Sequence, residues 1–282
     1  MRVTVRIAAI LAAMVAFSGT ASAASLGGWR QTGHATVDIK FSNEGIATVR
    51  VPGKPPALVY RGSGAIPQAQ LDKGWGHVGD VDSHRGYIVD AYQNTRDVPA
   101  PNKMFLVTTP TGQTYEYVHK LTPEEPPANA NSAVAITPDG RWLVAAALGE
   151  LDQLFVFPAP LTGTGGSIEL SGHVKLDTKI RNAQGCDFVS AWKLLCATSD
   201  PYNDLYPTSF QLLEINLAWP VQGRDVRAHV RSLGQVPLVS TCPGLFVTEG
   251  VDYDAPTGEL RVEVVPPSPC NTVTDVYTFR RY

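Results

Sequence analysis

A few side chains in this sequence combine types suited to acid–base or ligand chemistry with a recurring spacing. Glu249 stands inside the apolar run Phe246-Val247-Thr248-Glu249-Gly250-Val251, where an unpartnered carboxylate is costly. It is the first candidate for a functional acid. His77 lies between Gly76 and Gly79 and is of the one type whose unperturbed charge changes near neutral pH, which makes it the candidate base or ligand. Asn131 and Gln184 carry amides suited to positioning a substrate. Nine residues after His77, Asn131, Gln184 and Glu249 come Gly86, Gly140, Lys193 and Gly258; three residues after them come Asp80, Val134, Asp187 and Asp252. One carboxylate, two amides and one imidazole on a ring would hold a hard cation or a polar ligand. Carboxylate and amide oxygens are normal Ca²⁺ ligands; the imidazole suits Zn²⁺ or general-base work better.

Asp80, Asp187 and Asp252 have two readings. They are substrate-binding groups, or they accept hydrogen bonds from neighbouring backbone. In a flat strand residues i and i+3 face opposite ways, so the aspartates share a direction with the first ring only if a bulge intervenes, and Gly79, Gly185 and Gly250 sit where one fits. Trp75 and Tyr92, with Tyr202 and Tyr206 of the insertion 199–208, offer aromatic faces to a sugar ring. Sequence motifs of the common nucleophile, zinc-hydrolase and nucleotide-binding sites are missing.

Each template reads as polar residue, short strand, polar turn, second strand. The starts are 54, 53 and 65 residues apart, a spacing typical of propeller blades. Short strands divided by turn residues and no sustained 3.6-residue period predict an all-β fold nearly free of helix. Five units of four strands predict a five-bladed β-propeller, with six blades as the alternative and a β-sandwich disfavoured because it leaves the repeat unexplained. The N-terminal strand is expected to pair with the C-terminal strand 276–280 and close the ring. The first unit is degenerate. Strands are expected at 36–41, 46–51 and 57–60, with a turn at Asn43-Glu44-Gly45 and Thr36 or His34 as its ring member.

Residues 1–23 read as a secretory signal: Arg2 and Arg6, an apolar core 7–17, and Ala21-Ser22-Ala23. The remaining 24–282 are expected to form one exported domain, with no later membrane span. The net charge is −3 and no basic run occurs, so nucleic acid is not an expected partner. A monomer acting on a small molecule or glycan is expected. Cys186 and Cys196 are equidistant from one hairpin turn, and Cys242 and Cys270 from another. The pairing Cys186–Cys196 and Cys242–Cys270 follows.

The phrases Thr248-Glu249-Gly250-Val251-Asp252-Tyr253 and Asn131-Ser132-Ala133-Val134-Ala135-Ile136-Thr137-Pro138-Asp139-Gly140-Arg141-Trp142 resemble blade phrases of the gluconolactonase, regucalcin and strictosidine-synthase-like superfamily. The resemblance covers about a third of the expected mature chain. It implies a divalent cation on the axis, with Glu249 and Asn131 as ligands and Ca²⁺ favoured over Zn²⁺. The leading functional reading of the whole sequence is a metal-assisted hydrolase of an ester, lactone, phosphoester or glycosidic bond. His77 and Glu249 would be catalytic, and Asn131, Gln184, Trp75, Asp80, Asp187 and Asp252 would contact substrate. The alternative is a non-catalytic extracellular propeller that binds glycan or protein.

Overall fold

The computed structural model describes residues 25–97, 99–126, 131–237 and 242–282. The expected signal segment lies outside the described residues. Strands β1 (Ser25–Leu26) and β2 (Trp29–Asp38) open the chain, and β3 (Gly45–Val49) and β4 (Ala57–Arg61) form a two-stranded sheet. Then β5 (Trp75–His84), β6 (Tyr87–Asn94), β7 (Asn102–Thr108) and β8 (Thr114–Lys120) form a meander. β9 (Ala133–Ile136), β10 (Trp142–Ala146) and β11 (Glu150–Pro158) follow. The short β12 (Gly166–Ser167) then joins β8 in parallel, and β13 (Gly172–Arg181) pairs with β11. β14 (Ala183–Ser190), β15 (Lys193–Ser199), β16 (Phe210–Leu217) and β17 (Val226–Gln235) form the next meander, and β13 and β17 pair in parallel at their outer edges. β18 (Val247–Asp254), β19 (Glu259–Val265) and β20 (Val273–Arg281) come last; β2 pairs antiparallel with β20. The one α-helical segment among the described residues is the single turn Gln68–Leu71.

The first strands of the successive sheets, β3, β5, β9, β14 and β18, pack side by side around a common axis, β3 meeting both β5 and β18. This is a β-propeller. Alternation sends apolar side chains into the spaces between sheets, where they form clusters such as Leu195, Leu212, Val262, Tyr277 and Phe279.

Backbone approach is tightest at the axis. A Cβ added to Gly45 would lie 2.7 Å from the Asp80 Cα, and one on Gly185 or Gly250 would lie 2.6 Å from the next strand's backbone. Only glycine allows this packing. The space left by these glycines is occupied by Asp80, which is fully buried. Its Oδ1 accepts from Ile46 and Val81 N–H and its Oδ2 from Cys186 N–H. Asp80 therefore ties β5 to β3 and β14 and plugs the axis, leaving two separate ends.

Both disulfides form as the hairpin geometry predicts. Cys186 and Cys196 face each other across β14 and β15, and Cys242 is bonded to Cys270. The start of the chain departs from expectation. Residues 39–41 are a 3-10 turn, and Thr36 lies opposite Asp275 in the last sheet. His34 likewise bonds Asp275, at 2.8 Å. Gly45, expected within a turn, begins the innermost strand of the first sheet, with Glu44 in the bend just before it, because Gly45 is needed for the close approach to β5.

Candidate functional site

The register of the ring is set by a circuit of inner-strand aspartates. Asp82 accepts from Ile136 N–H, Asp187 from Tyr253 N–H at 2.6 Å, and Asp252 from Thr48 N–H at 2.7 Å and Thr48 Oγ1 at 2.6 Å. Each carboxylate clasps the backbone of another inner strand. The five equivalent positions are thus Ala47, Asp82, Ala135, Asp187 and Asp252. Counting back three gives the ring at the opposite end: Glu44, Gly79, Ser132, Gln184 and Glu249.

This register regroups the residues singled out by the sequence. Gln184 and Glu249 are on the first ring. Asn131 is one residue too early and His77 two. Asn131 is fully buried and its Nδ2 donates to the Tyr92 and Met104 carbonyls of the preceding sheet. Asp80 is not equivalent to Asp187 and Asp252; it occupies the glycine level, and Asp82 completes their set. Trp75 is buried against Val78, Tyr92 and Met104 and presents no open face. Tyr206 is buried with its hydroxyl donating to the Lys179 carbonyl, whereas Tyr202 is exposed beside Arg181. Ser132 donates to the Ala183 carbonyl, a strand-to-strand clasp.

The first end gathers Glu44, Glu249, Glu263 of β19 and His77. His77 Nε2 lies 3.3 Å from Glu44 Oε2, and both side chains keep some exposure, 28% and 13%. Glu249 is buried, and its carboxyl is pushed well above the usual carboxylate range by burial, then by the charges of Glu44, Glu263 and Asp80. Glu263 is fully buried and neither of its oxygens has a hydrogen-bond partner of good geometry. Burial also raises it well above its ordinary value, although the Gly250 amide pulls the other way. The site thus holds a carboxyl group whose charged form is disfavoured at the same end as the Glu44–His77 pair. A carboxyl group raised in this way is suited to general-acid work.

The implied cation fits these residues poorly. The Asn131 Nδ2 bonds into the preceding sheet, and its Oδ1 is buried without a hydrogen-bond partner. Among the described residues no three His, Cys, Asp or Glu side chains group as an ion would need.

The second end opens into a cavity of about 710 Å³. Asp82, Asp187 and Asp252 lie at its floor. Burial pushes Asp82 up to about 7, Asp187 well above the carboxylate range with help from Asp82 and Asp252, and Asp252 upward against the pull of Thr48 and Arg261.

A third polar cluster lies far from both ends. Glu125, in the acidic proline-rich loop 122–129 after β8, is buried between Lys103 at 2.5 Å and His119 at 2.7 Å. Burial alone would raise Glu125, but the bonds to His119 and Lys103 hold it down at about 2. It pins the loop to its sheet. Residues 127–129 of that loop lie outside the described residues.

The sequence matches no known family profile and no curated protein. Among solved structures the chain is similar to a luciferin-regenerating enzyme, with 10% identity, 83% of this chain and 77% of that one covered, and a TM-score of 0.45. It is also similar to a gluconolactonase from Xanthomonas campestris, with 10% identity, 72% and 57% covered, and a TM-score of 0.35. A β-propeller domain from Myceliophteria thermophila gives 12% identity, 90% and 85% covered, and a TM-score of 0.36. Nothing follows from these proteins about the reaction of this chain.

Proposed function

We propose that the chain is an exported five-bladed propeller, its ring closed by β2 on β20, that hydrolyses an ester, lactone, phosphoester or glycosidic bond at the Glu249 end of the axis. The carrying observation is that buried Glu249, whose carboxyl burial and like charges raise well above the usual range, lies at the same end as the partly exposed His77–Glu44 pair. Glu249 donates a proton to the leaving oxygen. Glu44 orients the His77 imidazole, which takes the proton from an attacking water. Gln184, half-buried on the same ring, contacts the substrate. General acid–base groups placed this way contribute about 10²–10⁴ in rate. The two disulfides accord with an oxidising compartment, and no helix among the described residues is long and apolar enough to cross a membrane.

The reading is tested by incubating the purified chain with chromogenic esters, lactones, phosphoesters and glycosides. One class should turn over, with a pH profile that has an acidic and a basic limb. If no class turns over, the exposed Tyr202 becomes the place to look for a glycan contact instead.

A further inference from the structure

The cavity at the second end has walls of opposite charge at its two depths. At the floor, Asp82 and Asp187 have no ionic partner among the described residues, whereas Asp252 is held by Arg261 at 2.7 Å. Asp82 Oδ1 accepts from Ser83 N–H and Oδ2 from Ile136 N–H. Asp187 Oδ1 accepts from Phe188 N–H and Oδ2 from Tyr253 N–H. Each oxygen uses one acceptor direction on the backbone and keeps another. Two carboxyl groups thus converge on one enclosed space with acceptor capacity left over and no cation to share.

The rim is the reverse. Lys54 and Arg85 are exposed and line the cavity mouth. Neither has an ionic partner among the described residues. Arg50, the other rim cation, is already engaged by both oxygens of Asp254. Ile136, Pro138, Phe188 and Tyr253 add apolar surface to the lining. The volume, about 710 Å³, is in the range of small-molecule sites, about 300–1,000 Å³.

We infer that this cavity is a second binding site, separate from the hydrolytic end, for a small linear zwitterion of the amino-carboxylate class, such as a short peptide. The ligand's ammonium group sits on Asp82 and Asp187 and its anionic end reaches Lys54 and Arg85. A cation at the floor also relieves the like-charge repulsion among Asp82, Asp187 and Asp252, which contributes to their raised carboxyls. A diamine would be attracted at the floor but repelled at the rim; a simple carboxylate would be repelled at the floor. The charge order therefore selects by rejection as well as by attraction.

Titration calorimetry of the full chain with three probes of one length separates these cases: 6-aminohexanoate, hexylamine and hexanoate. The expected result is that 6-aminohexanoate binds at least about tenfold more tightly than either single-charge probe, a clear step on the affinity scale. Asp187→Asn should abolish its binding, and Arg85→Ala, on the exposed rim and harmless to the fold, should weaken it several-fold. Binding is read without turnover, so its outcome is independent of the hydrolase reading. Equal binding of hexylamine, equal binding of hexanoate, or no binding of 6-aminohexanoate at millimolar concentration would each overturn the inference. So would an Arg85→Ala variant with unchanged affinity.

Discussion

The two ends of the propeller axis are built from the same five strands, yet they hold their acids in opposite ways. At the Asp82–Asp187–Asp252 end every carboxylate is bonded to a strand amide, so the acids hold the ring together. At the Glu44–Glu249–Glu263 end the glutamates are largely freed from that work, and Glu263 has no good hydrogen-bond partner at all. Asp80 and the glycines around it separate the two. Acids that clasp backbone define a rigid ring, while acids left unclasped retain chemistry. One more methylene moves a Glu carboxyl away from the strand amides that an Asp reaches.

Substitutions sharpen this contrast, the largest effect first. Glu249→Gln should lower turnover at least about 100-fold, the loss of a general acid, and should leave the melting temperature within a few degrees. Gln has the shape of the protonated acid and removes repulsion from Glu44 and Glu263. His77→Asn should lower turnover similarly, by removing the general base. Asp252→Asn should instead lower stability and leave turnover per folded molecule largely intact. It leaves Arg261 less well paired and weakens the Thr48 clasp, at a cost of about 3 kcal/mol, read by urea denaturation.

The pH dependence of stability follows from the raised carboxyls. Asp80, Asp82, Asp187, Asp252, Glu249 and Glu263 are all raised in the fold. The unfolded chain ionises first, so the folded state binds more protons above about pH 4, the ordinary carboxylate value. Stability is then lost as pH rises, with Asp82 contributing up to about 7. Glu125, held at about 2, acts the other way and loses its contribution below about pH 4. The melting temperature should therefore be higher at about pH 5 than at about pH 8, and Asp82→Asn should flatten that slope. A melting temperature that rises between those values would contradict the burial argument for both ends. The smallest expected effect is that of a chelator. Because no ion-sized group of His, Cys, Asp or Glu ligands forms among the described residues, neither turnover nor melting should change.

Much of this was legible in the sequence. The repeated polar–strand–turn–strand template gave the propeller, and the hairpin symmetry gave both disulfides. The register within the ring was harder to read. The template counted from His77 and Asn131 runs two residues and one residue early, because the level that matters is where neighbouring strands touch. Gly185 and Gly250 mark that level, but β5 places Asp80 there and β9 places Ala133. The same shift hid Asp82, two residues beyond the position where an aspartate was sought. Glu44 was missed because Asn-Glu-Gly has the composition of a turn, and only the contact with β5 shows that Gly45 serves a close approach. Glu263 lies on a second strand, outside any inner-strand template.

The most direct test of the division between the ends is Glu249→Gln, assayed for turnover per folded molecule alongside its melting temperature and its binding of 6-aminohexanoate. Turnover reduced at least about 100-fold, with melting and binding unchanged, is the predicted result. A fall in melting temperature with turnover per folded molecule retained would show that Glu249 is a structural clasp like the aspartates at the other end, and would contradict the division.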